Sequence, residues 1–204
     1  MVLDIDDTLF LERDYAKSGF QAVEAHFGIH RFAEVAWQAF EEGVRGNIFN
    51  VALERLGIDT NSVSIPELVR IYREHEPQIQ LLDDAKWFLE THRDLIAGFV
   101  TDGPASSQKA KAKALGLAEF GPVCFTADFG EGFGKPHPRG FEWVCSQTPA
   151  AQYMYVADNP TKDFQGPRQL NWQTVRILRP GSLHEHLPTG DTADREIISF
   201  QELL

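Results

Sequence analysis

The sequence predicts an α/β fold in which a parallel sheet carries an inserted, all-helical segment. After residue 93, short apolar runs alternate with helical stretches, and a further apolar run opens the chain. Residues 13–92, in contrast, show only helical spacing of their apolar side chains. Strands that alternate with helices are typical of βαβ units, whose strands are parallel. The core is therefore expected to comprise residues 1–12 and 93–204, with residues 13–92 as the insertion.

Five apolar runs are predicted to form the strands of the sheet. They lie at residues 1–5, 95–100, 122–125, 153–156 and 174–178. The segments between the later strands are predicted helices, the first ending at Gly116, the second passing through Phe141 and Val144, and the third ending at Asn171. In a parallel sheet of this kind, ligands bind beyond the carboxyl ends of the strands. Polar residues that directly follow these runs are therefore the first candidates for a site.

The insertion carries helix signals but no strand signals. Ser64 and Glu67, with Pro66 between them, form a capping box that predicts the start of a helix. Gly28 and Gly57 occupy positions where a helix end favours a left-handed residue. Apolar residues elsewhere in the insertion recur every three or four positions, which is typical of amphipathic helices.

The composition excludes several classes of protein. The formal charge is −11, and no cluster of Lys and Arg is present, so no nucleic-acid partner is expected. Cys124 and Cys145 show no metal-ligand spacing and no disulfide framework, which is typical of a reduced, intracellular protein. No run of about 18 apolar residues occurs, so no membrane partner is expected. We expect a cytoplasmic protein that is a monomer or a homodimer.

The first strand runs into a cluster of acidic residues. Asp4 and Asp6 are two apart in an extended segment, so their side chains point to the same side, whereas Asp7 points away. Two carboxylates in one cleft repel each other unless a cation or a proton lies between them. Mg2+ prefers oxygen ligands and suits such a pair. Considered alone, the segment is equally compatible with a solvated acidic turn.

Polar residues also follow the later predicted strands, and they favour a metal site over a solvated acidic turn. They are, in chain order, Thr101, Asp102, Lys135, Asp158 and Asp163. Individually, Lys135 could be a solvated surface charge and Thr101 a turn residue. Together with the acids of the first strand, however, a hydroxyl, a lysine and a second pair of acids indicate a site for a phosphate group and a magnesium ion.

This ordered set resembles the four motifs of the haloacid dehalogenase (HAD) superfamily. The matching residues are Asp4-Ile5-Asp6-Asp7-Thr8, then Thr101, then Lys135, and then Asp158 with Asp163. The match spans the whole α/β part, and one departure is Ala157, where many members have glycine. The resemblance implies a core that is a Rossmann-like, doubly wound parallel sheet, with a C1-type helical cap. It also implies a Mg2+-dependent phosphohydrolase that acts on a small phosphorylated metabolite.

The resemblance further implies a role for each matched residue. Asp4 is expected to be the nucleophile that forms an aspartyl-phosphate, and Asp6 the general acid and then the general base. Lys135 is expected to offset charge as the phosphoryl group is transferred. The expected phosphate-binding residues are Thr101, Asp102 and Lys135. The expected Mg2+ ligands are Asp4, Asp6 through its backbone carbonyl, and Asp158, with Asp163 in a supporting role beside Lys135 or a metal-bound water.

The superfamily also includes members with other functions. Members that cleave carbon–halogen bonds or phosphonates depart from an acid at the position of Asp6, so the resemblance disfavours both. A phosphomutase of a sugar phosphate uses the same acids and stays open. A catalytically silent member that serves as a binding or assembly protein is the alternative from a different class, although the intact motif acids argue against it.

One loop of the insertion carries a candidate residue for substrate recognition. Arg45 lies in the segment Gly43-Val44-Arg45-Gly46-Asn47, which interrupts two amphipathic helices. A cation in a glycine-flanked loop can reach an anionic or hydroxylated substrate. Arg45 is therefore a candidate specificity residue, and a plain surface turn is the alternative.

Overall fold

The computed structural model describes residues 1–203, which divide into two compact units. The first unit comprises residues 1–13 together with the chain from residue 79 onward. The second unit comprises residues 14–78. The chain thus leaves the first unit shortly after its opening strand and returns to it once.

The first unit contains a parallel sheet that, within residues 1–203, has six strands in the order β3-β2-β1-β4-β5-β6. The strands are β1 (Val2–Leu3), β2 (Gly98–Thr101), β3 (Val123–Phe125), β4 (Met154–Ala157), β5 (Gln173–Ile177) and β6 (Arg195–Ile197). Because β1 pairs with both β2 and β4, the chain order reverses at β1. In doubly wound sheets, ligands bind at this reversal point. The predicted Rossmann-like class is confirmed.

Eight α-helices lie within the described part of the chain. They are α1 (Glu12–Phe27), α2 (Phe32–Glu41), α3 (Ile48–Arg55), α4 (Ile65–Glu74), α5 (Asp83–Thr91), α6 (Ala105–Ala114), α7 (Arg139–Gln147) and α8 (Gln165–Gln169). Helices α5 to α8 belong to the first unit, and α2 to α4 with most of α1 form the second. None of the helices within residues 1–203 is long and apolar enough to cross a membrane.

The core of the first unit is built from strand residues and one face of α7. Phe141 of α7 packs edge-on against Tyr155, with ring centres 4.8 Å apart, and against Trp172 at 5.6 Å. Edge-to-face contacts of this kind stabilise aromatic clusters beyond the burial of their area. Tyr155 is a β4 residue, so this packing fixes α7 against the strand that precedes Asp158.

The sixth strand was not predicted. Strand β6 lies at the edge of the sheet beside β5, with Arg195 and Glu196 exposed and only Ile197 buried. An edge strand with one buried residue has no apolar run to reveal it, since periodicity arguments depend on several buried side chains.

The segment that includes α5 groups with the first unit, whereas the expected insertion extended to residue 92. Phe88 of α5 stacks on Phe200, with ring centres 5.1 Å apart. Asp84 accepts hydrogen bonds from Arg179 Nη1 at 2.8 Å and from the Phe200 backbone N–H at 2.9 Å. Helical spacing alone could not assign α5 to a unit, because its partners lie about a hundred residues further along the chain.

The second unit is helical, as the spacing of its apolar residues predicts. Its centre is an aromatic cluster in which the Phe20 ring lies 6.3 Å from Phe40, 6.3 Å from Phe49 and 5.6 Å from Tyr72. Ser64 caps α4 by accepting a hydrogen bond from the Glu67 backbone N–H at 3.4 Å, which confirms the predicted helix start.

Candidate active site

The candidate site lies where β1, β2 and β4 end. Asp4 follows β1, Thr101 closes β2, and Asp158 follows β4. The Asp4 backbone N–H donates to Val156 O at 2.9 Å, so the pairing of β1 with β4 continues to the residue that carries the first acid. Parallel neighbouring strands therefore deliver the acids of two motifs to one point at the reversal of the sheet.

A buried lysine joins the acids of this site. Lys135 Nζ donates to Asp4 Oδ1 at 2.6 Å and to Tyr155 Oη at 3.1 Å. It also lies 2.6 Å from Asp163 Oδ1, off the direction of a hydrogen bond. Burial lowers the pKa of Lys135, but the carboxylates of Asp163 and Asp4 outweigh it and hold the pKa well above its usual value. Lys135 is therefore a permanent positive charge beside the proposed nucleophile.

Burial and mutual repulsion disfavour the ionised forms of two acids at this point of the sheet. Burial raises the pKa of Asp158 to about 9, with the charges of Asp4 and Asp163 adding to the effect. Burial likewise raises the pKa of Asp4 to about 7, against the opposing effect of Lys135. A buried carboxyl with a strongly raised pKa needs a proton or a cation.

The same acids fit a divalent cation. Oxygens of Asp4, Asp158 and Asp163 lie within 4.8 Å of one another, and Asp158 Oδ2 is buried without a hydrogen-bond partner among the described residues. An unpartnered buried oxygen in a group of carboxylates is suited to bind a metal ion, and ligands that are all oxygens favour a hard ion such as Mg2+. The arrangement therefore fits the expected ion.

Two hydrogen bonds hold the loop after β4 around Asp158. Asp163 Oδ2 accepts a hydrogen bond from the Asn159 backbone N–H at 3.0 Å. Arg176 Nε donates to the Asp158 backbone carbonyl at 2.9 Å. Asp163 thus shapes this loop and also contacts Lys135. Its supporting role stays a prediction.

The Asp6 carboxylate turns toward α6 rather than toward the other acids. Asp6 Oδ1 accepts from Lys111 Nζ at 2.7 Å, and Asp6 Oδ2 accepts from Gln108 Nε2 at 3.0 Å. Burial raises the pKa of Asp6, but Lys111 and the hydrogen bonds outweigh it and lower the net value. Of the expected metal ligands, Asp6 can therefore contribute only its backbone carbonyl in this arrangement, as the resemblance implied.

Asp7 points away from the site. Its backbone adopts a left-handed conformation with φ of 53°, and its carboxylate accepts from the backbone N–H groups of Glu12 and Leu183, each at 2.8 Å. Asp7 therefore joins the turn after β1 to the start of α1 and to a distant loop.

Thr101 and Asp102 have different surroundings from those expected of two phosphate ligands. Thr101 Oγ1 donates to Gln108 Oε1 at 3.1 Å. The Asp102 carboxylate accepts from the Lys135 backbone N–H, at 3.1 and 3.0 Å to its two oxygens, and from Thr126 Oγ1. A carboxylate engaged in this way anchors the Lys135 loop and would repel a phosphate. Only the Asp102 backbone could therefore assist phosphate binding.

Sequence reasoning missed several residues of the first unit that contact the site, and three of them lie around Asp6 and its partner lysine. They are Glu12, Gln108 and Lys111. The last two lie three apart on one face of α6, a helix whose Lys109 and Lys113 are exposed. The spacing of Gln108 and Lys111 was the only signal in the sequence. A helix rich in lysine is usually interpreted as exposed to solvent, so this spacing did not indicate a site.

Arg45 lies in the second unit, where its own loop engages it. Arg45 Nη1 donates to the backbone carbonyls of Phe40 at 2.6 Å and Val44 at 2.8 Å, and the guanidinium lies 3.9 Å from the centre of the Phe40 ring. These contacts cap the end of α2. The expected specificity role of Arg45 stays a prediction.

Comparison with known proteins adds a family assignment. The family described as haloacid dehalogenase-like hydrolase matches residues 1–171. The chain is also 26% identical to a glyceraldehyde 3-phosphate phosphatase of Methanocaldococcus jannaschii, in an alignment covering 100% of this chain and 94% of that protein.

Solved structures share the fold at lower identity. A putative HAD-hydrolase, YfnB from Bacillus subtilis bound to magnesium, has a TM-score of 0.62 and 21% identity, covering 99% of this chain and 95% of that one. A HAD phosphatase from Thermococcus onnurineus has a TM-score of 0.60 and 23% identity, covering 99% and 94%. At these identities the likeness establishes the fold.

Proposed function

Because the chain belongs to the haloacid dehalogenase-like hydrolases and is a phosphoric monoester hydrolase, we propose that it hydrolyses a small phosphorylated metabolite through an aspartyl-phosphate on Asp4, with Mg2+ bound. The observation that carries this proposal is the surroundings of Asp4. Asp4 is buried at the reversal point of the sheet, hydrogen-bonded to Lys135 and grouped with Asp158, whose Oδ2 has no hydrogen-bond partner within residues 1–203.

In the first step, an Asp4 carboxylate oxygen attacks phosphorus while the bond from phosphorus to the leaving oxygen breaks. Thr8 Oγ1, 3.4 Å from Asp4 Oδ2, and Lys135 Nζ, 2.6 Å from Oδ1, fix the carboxylate for this attack. The leaving oxygen takes a proton from Asp6 and departs as an alcohol. Asp6 must therefore be protonated when the substrate is bound, although, against the effect of burial, Lys111 lowers its pKa in the free site. The permanent charge of Lys135 offsets the negative charge on the transferring group.

In the second step, water attacks the aspartyl-phosphate, and Asp6 accepts the proton that this water loses. The bond between phosphorus and Asp4 breaks, which releases inorganic phosphate and restores the carboxylate. Asp6 thus ends the cycle with the proton it gave away in the first step.

Mg2+ would be held by the carboxylates of Asp4 and Asp158 and by the backbone carbonyl of Asp6. When bound, the ion offsets the charge of the acids and of the phosphate, which would otherwise repel each other. Asp163, which lies in the same group of oxygens, then remains available to Lys135.

The function is tested by measuring released inorganic phosphate with Mg2+ across a panel of phosphorylated metabolites. The likeness to a glyceraldehyde 3-phosphate phosphatase makes small sugar phosphates the first compounds to test. Release of phosphate from members of the panel supports the proposal. An isomerised sugar phosphate without released phosphate identifies a phosphomutase instead, and no turnover of any compound, p-nitrophenyl phosphate included, identifies a silent member.

Asp6→Asn is expected to slow phenyl phosphate and sugar phosphates by about a hundredfold more than p-nitrophenyl phosphate, because p-nitrophenolate leaves readily without a proton. The measurement is kcat and kcat/KM for each substrate with the same enzyme preparation, so that the p-nitrophenyl ester serves as the internal control. Equal losses on all substrates would remove Asp6 from the acid–base role.

A further inference from the structure

Helix α6 places a buried cation beside the proposed acid–base residue. Lys111 Nζ lies 2.7 Å from Asp6 Oδ1 and 2.6 Å from Glu12 Oε2, and the lysine is only 2% exposed. A buried ammonium is stable only when it is paired and hydrogen-bonded, which these two carboxylates provide. The steps described above make no use of Lys111.

Gln108, one turn earlier on α6, binds the other oxygen of the same carboxylate. Its Nε2 donates to Asp6 Oδ2 at 3.0 Å, and its Oε1 accepts from Thr101 Oγ1 at 3.1 Å. Each Asp6 oxygen therefore has its own donor on one face of α6, because residues three apart on a helix are neighbours. Two separate donors fix the plane of the carboxylate as well as its position.

Glu12 also binds the lysine, through its Oε2 at 2.6 Å from Lys111 Nζ. Glu12 is the first residue of α1, and its backbone N–H donates to Asp7 Oδ1 at 2.8 Å. The Lys111 ammonium is thus held between the start of α1 and the turn that carries Asp6. The position of the ammonium therefore does not depend on the Asp6 contact alone. The ammonium can in turn hold the Asp6 carboxylate in a defined position.

We propose that Lys111 and Gln108 are positioning residues that fix the Asp6 side chain for proton transfer to the leaving oxygen and from the attacking water. This inference rests on the acid–base role proposed for Asp6. It gives Gln108 and Lys111, on one face of α6, a role in catalysis that they exert through Asp6 and without contact with the phosphoryl group. A lysine that only stabilised the fold would affect every substrate alike, whereas a positioning residue affects the substrates that need the proton.

The test compares phenyl phosphate with p-nitrophenyl phosphate, which are similar in shape but differ in how much the leaving oxygen needs a proton. Lys111→Met keeps the length of the side chain and removes its charge. We expect kcat for phenyl phosphate to fall about tenfold more than kcat for p-nitrophenyl phosphate, with KM changed little. Lys113→Met, at an exposed position of the same helix, is the matched control and is expected to leave both values unchanged.

A second variant is needed in case Lys111→Met does not fold, since removal of the ammonium leaves the partly buried carboxylates of Asp6 and Glu12 without their cation. Gln108→Met keeps every buried charge and is expected to cause the same selective loss. Thermal unfolding identifies which variants are folded. A uniform loss on both substrates, or no loss, in the folded variants overturns the proposal.

Asp6→Asn, measured in parallel, separates this inference from the proposed function. In the Asp6→Asn background, Lys111→Met should add no further selective loss, because the two changes act through one carboxylate. If Asp6→Asn is selective but the α6 variants are not, only the positioning role fails. If Asp6→Asn shows no selectivity, the acid–base role fails and the positioning role with it.

Discussion

The Asp4→Asn enzyme is expected to lose at least about four orders of magnitude in kcat while keeping its fold. An amide oxygen is a far weaker nucleophile than a carboxylate, so the covalent step disappears on every substrate, p-nitrophenyl phosphate included. The fold should tolerate the change, because Asp4 is a buried acid whose pKa is already raised and Lys135 keeps its contact with Asp163.

The measurement is phosphate release together with acid-quenched trapping of labelled phosphate on the protein, which the wild type should show and the variant should not. Asp94→Asn makes the same substitution at an exposed position outside the site and is the matched control. A loss of only a few-fold in Asp4→Asn, with trapped label unchanged, would contradict a covalent role for Asp4.

The superfamily and the phosphoric monoester hydrolase class could both be predicted from the sequence, and the comparisons confirm both. The prediction succeeded because the relevant residues follow apolar runs that are buried in the sheet. Asp4 follows β1 and Asp158 follows β4, and the backbone bond from Asp4 to Val156 brings them to one point. In a parallel sheet, the order of the strands and the positions of their ends are enough to predict that such residues lie close together.

What the sequence did not reveal depends on side chains whose partners are distant in the chain. Lys111 meets Asp6 across 105 residues, and Asp84 meets Arg179 across 95. Neither α6 nor α5 shows in its own spacing which acid or arginine it will face. The part of the site on the strand ends was therefore predictable, and the part on helices was not.

Asp102 illustrates a second limit. Its position directly after Thr101 made it a candidate for phosphate binding, but its carboxylate accepts the Lys135 backbone N–H and the Thr126 hydroxyl. A motif match identifies a position in the chain without identifying whether its backbone or its side chain acts there. The direction of a side chain depends on the neighbouring loops, which the sequence alone does not place.

Removal of divalent cations is expected to abolish turnover, and Mg2+ is expected to restore it. Calcium should bind without supporting turnover, because its larger and looser coordination shell misaligns the nucleophile and phosphorus. Asp158→Asn should weaken Mg2+ binding by at least about tenfold, and Asp94→Asn should not. The measurements are activity after chelation and calorimetric titration of the protein with each ion. Full activity in excess chelator would exclude a required metal.

The charge of the site also predicts how Mg2+ affinity depends on pH. Without the ion, the pKa of Asp158 lies at about 9, because burial and then the charges of Asp4 and Asp163 raise it. At pH 7 this carboxyl is therefore protonated, whereas the ion binds the ionised form, so binding must release a proton. Mg2+ affinity should rise between about pH 7 and pH 9 and level off above it. Calorimetry in two buffers of different ionisation enthalpy counts the released protons, and an affinity that is flat across this range, with no proton released, would contradict Asp158 as a ligand.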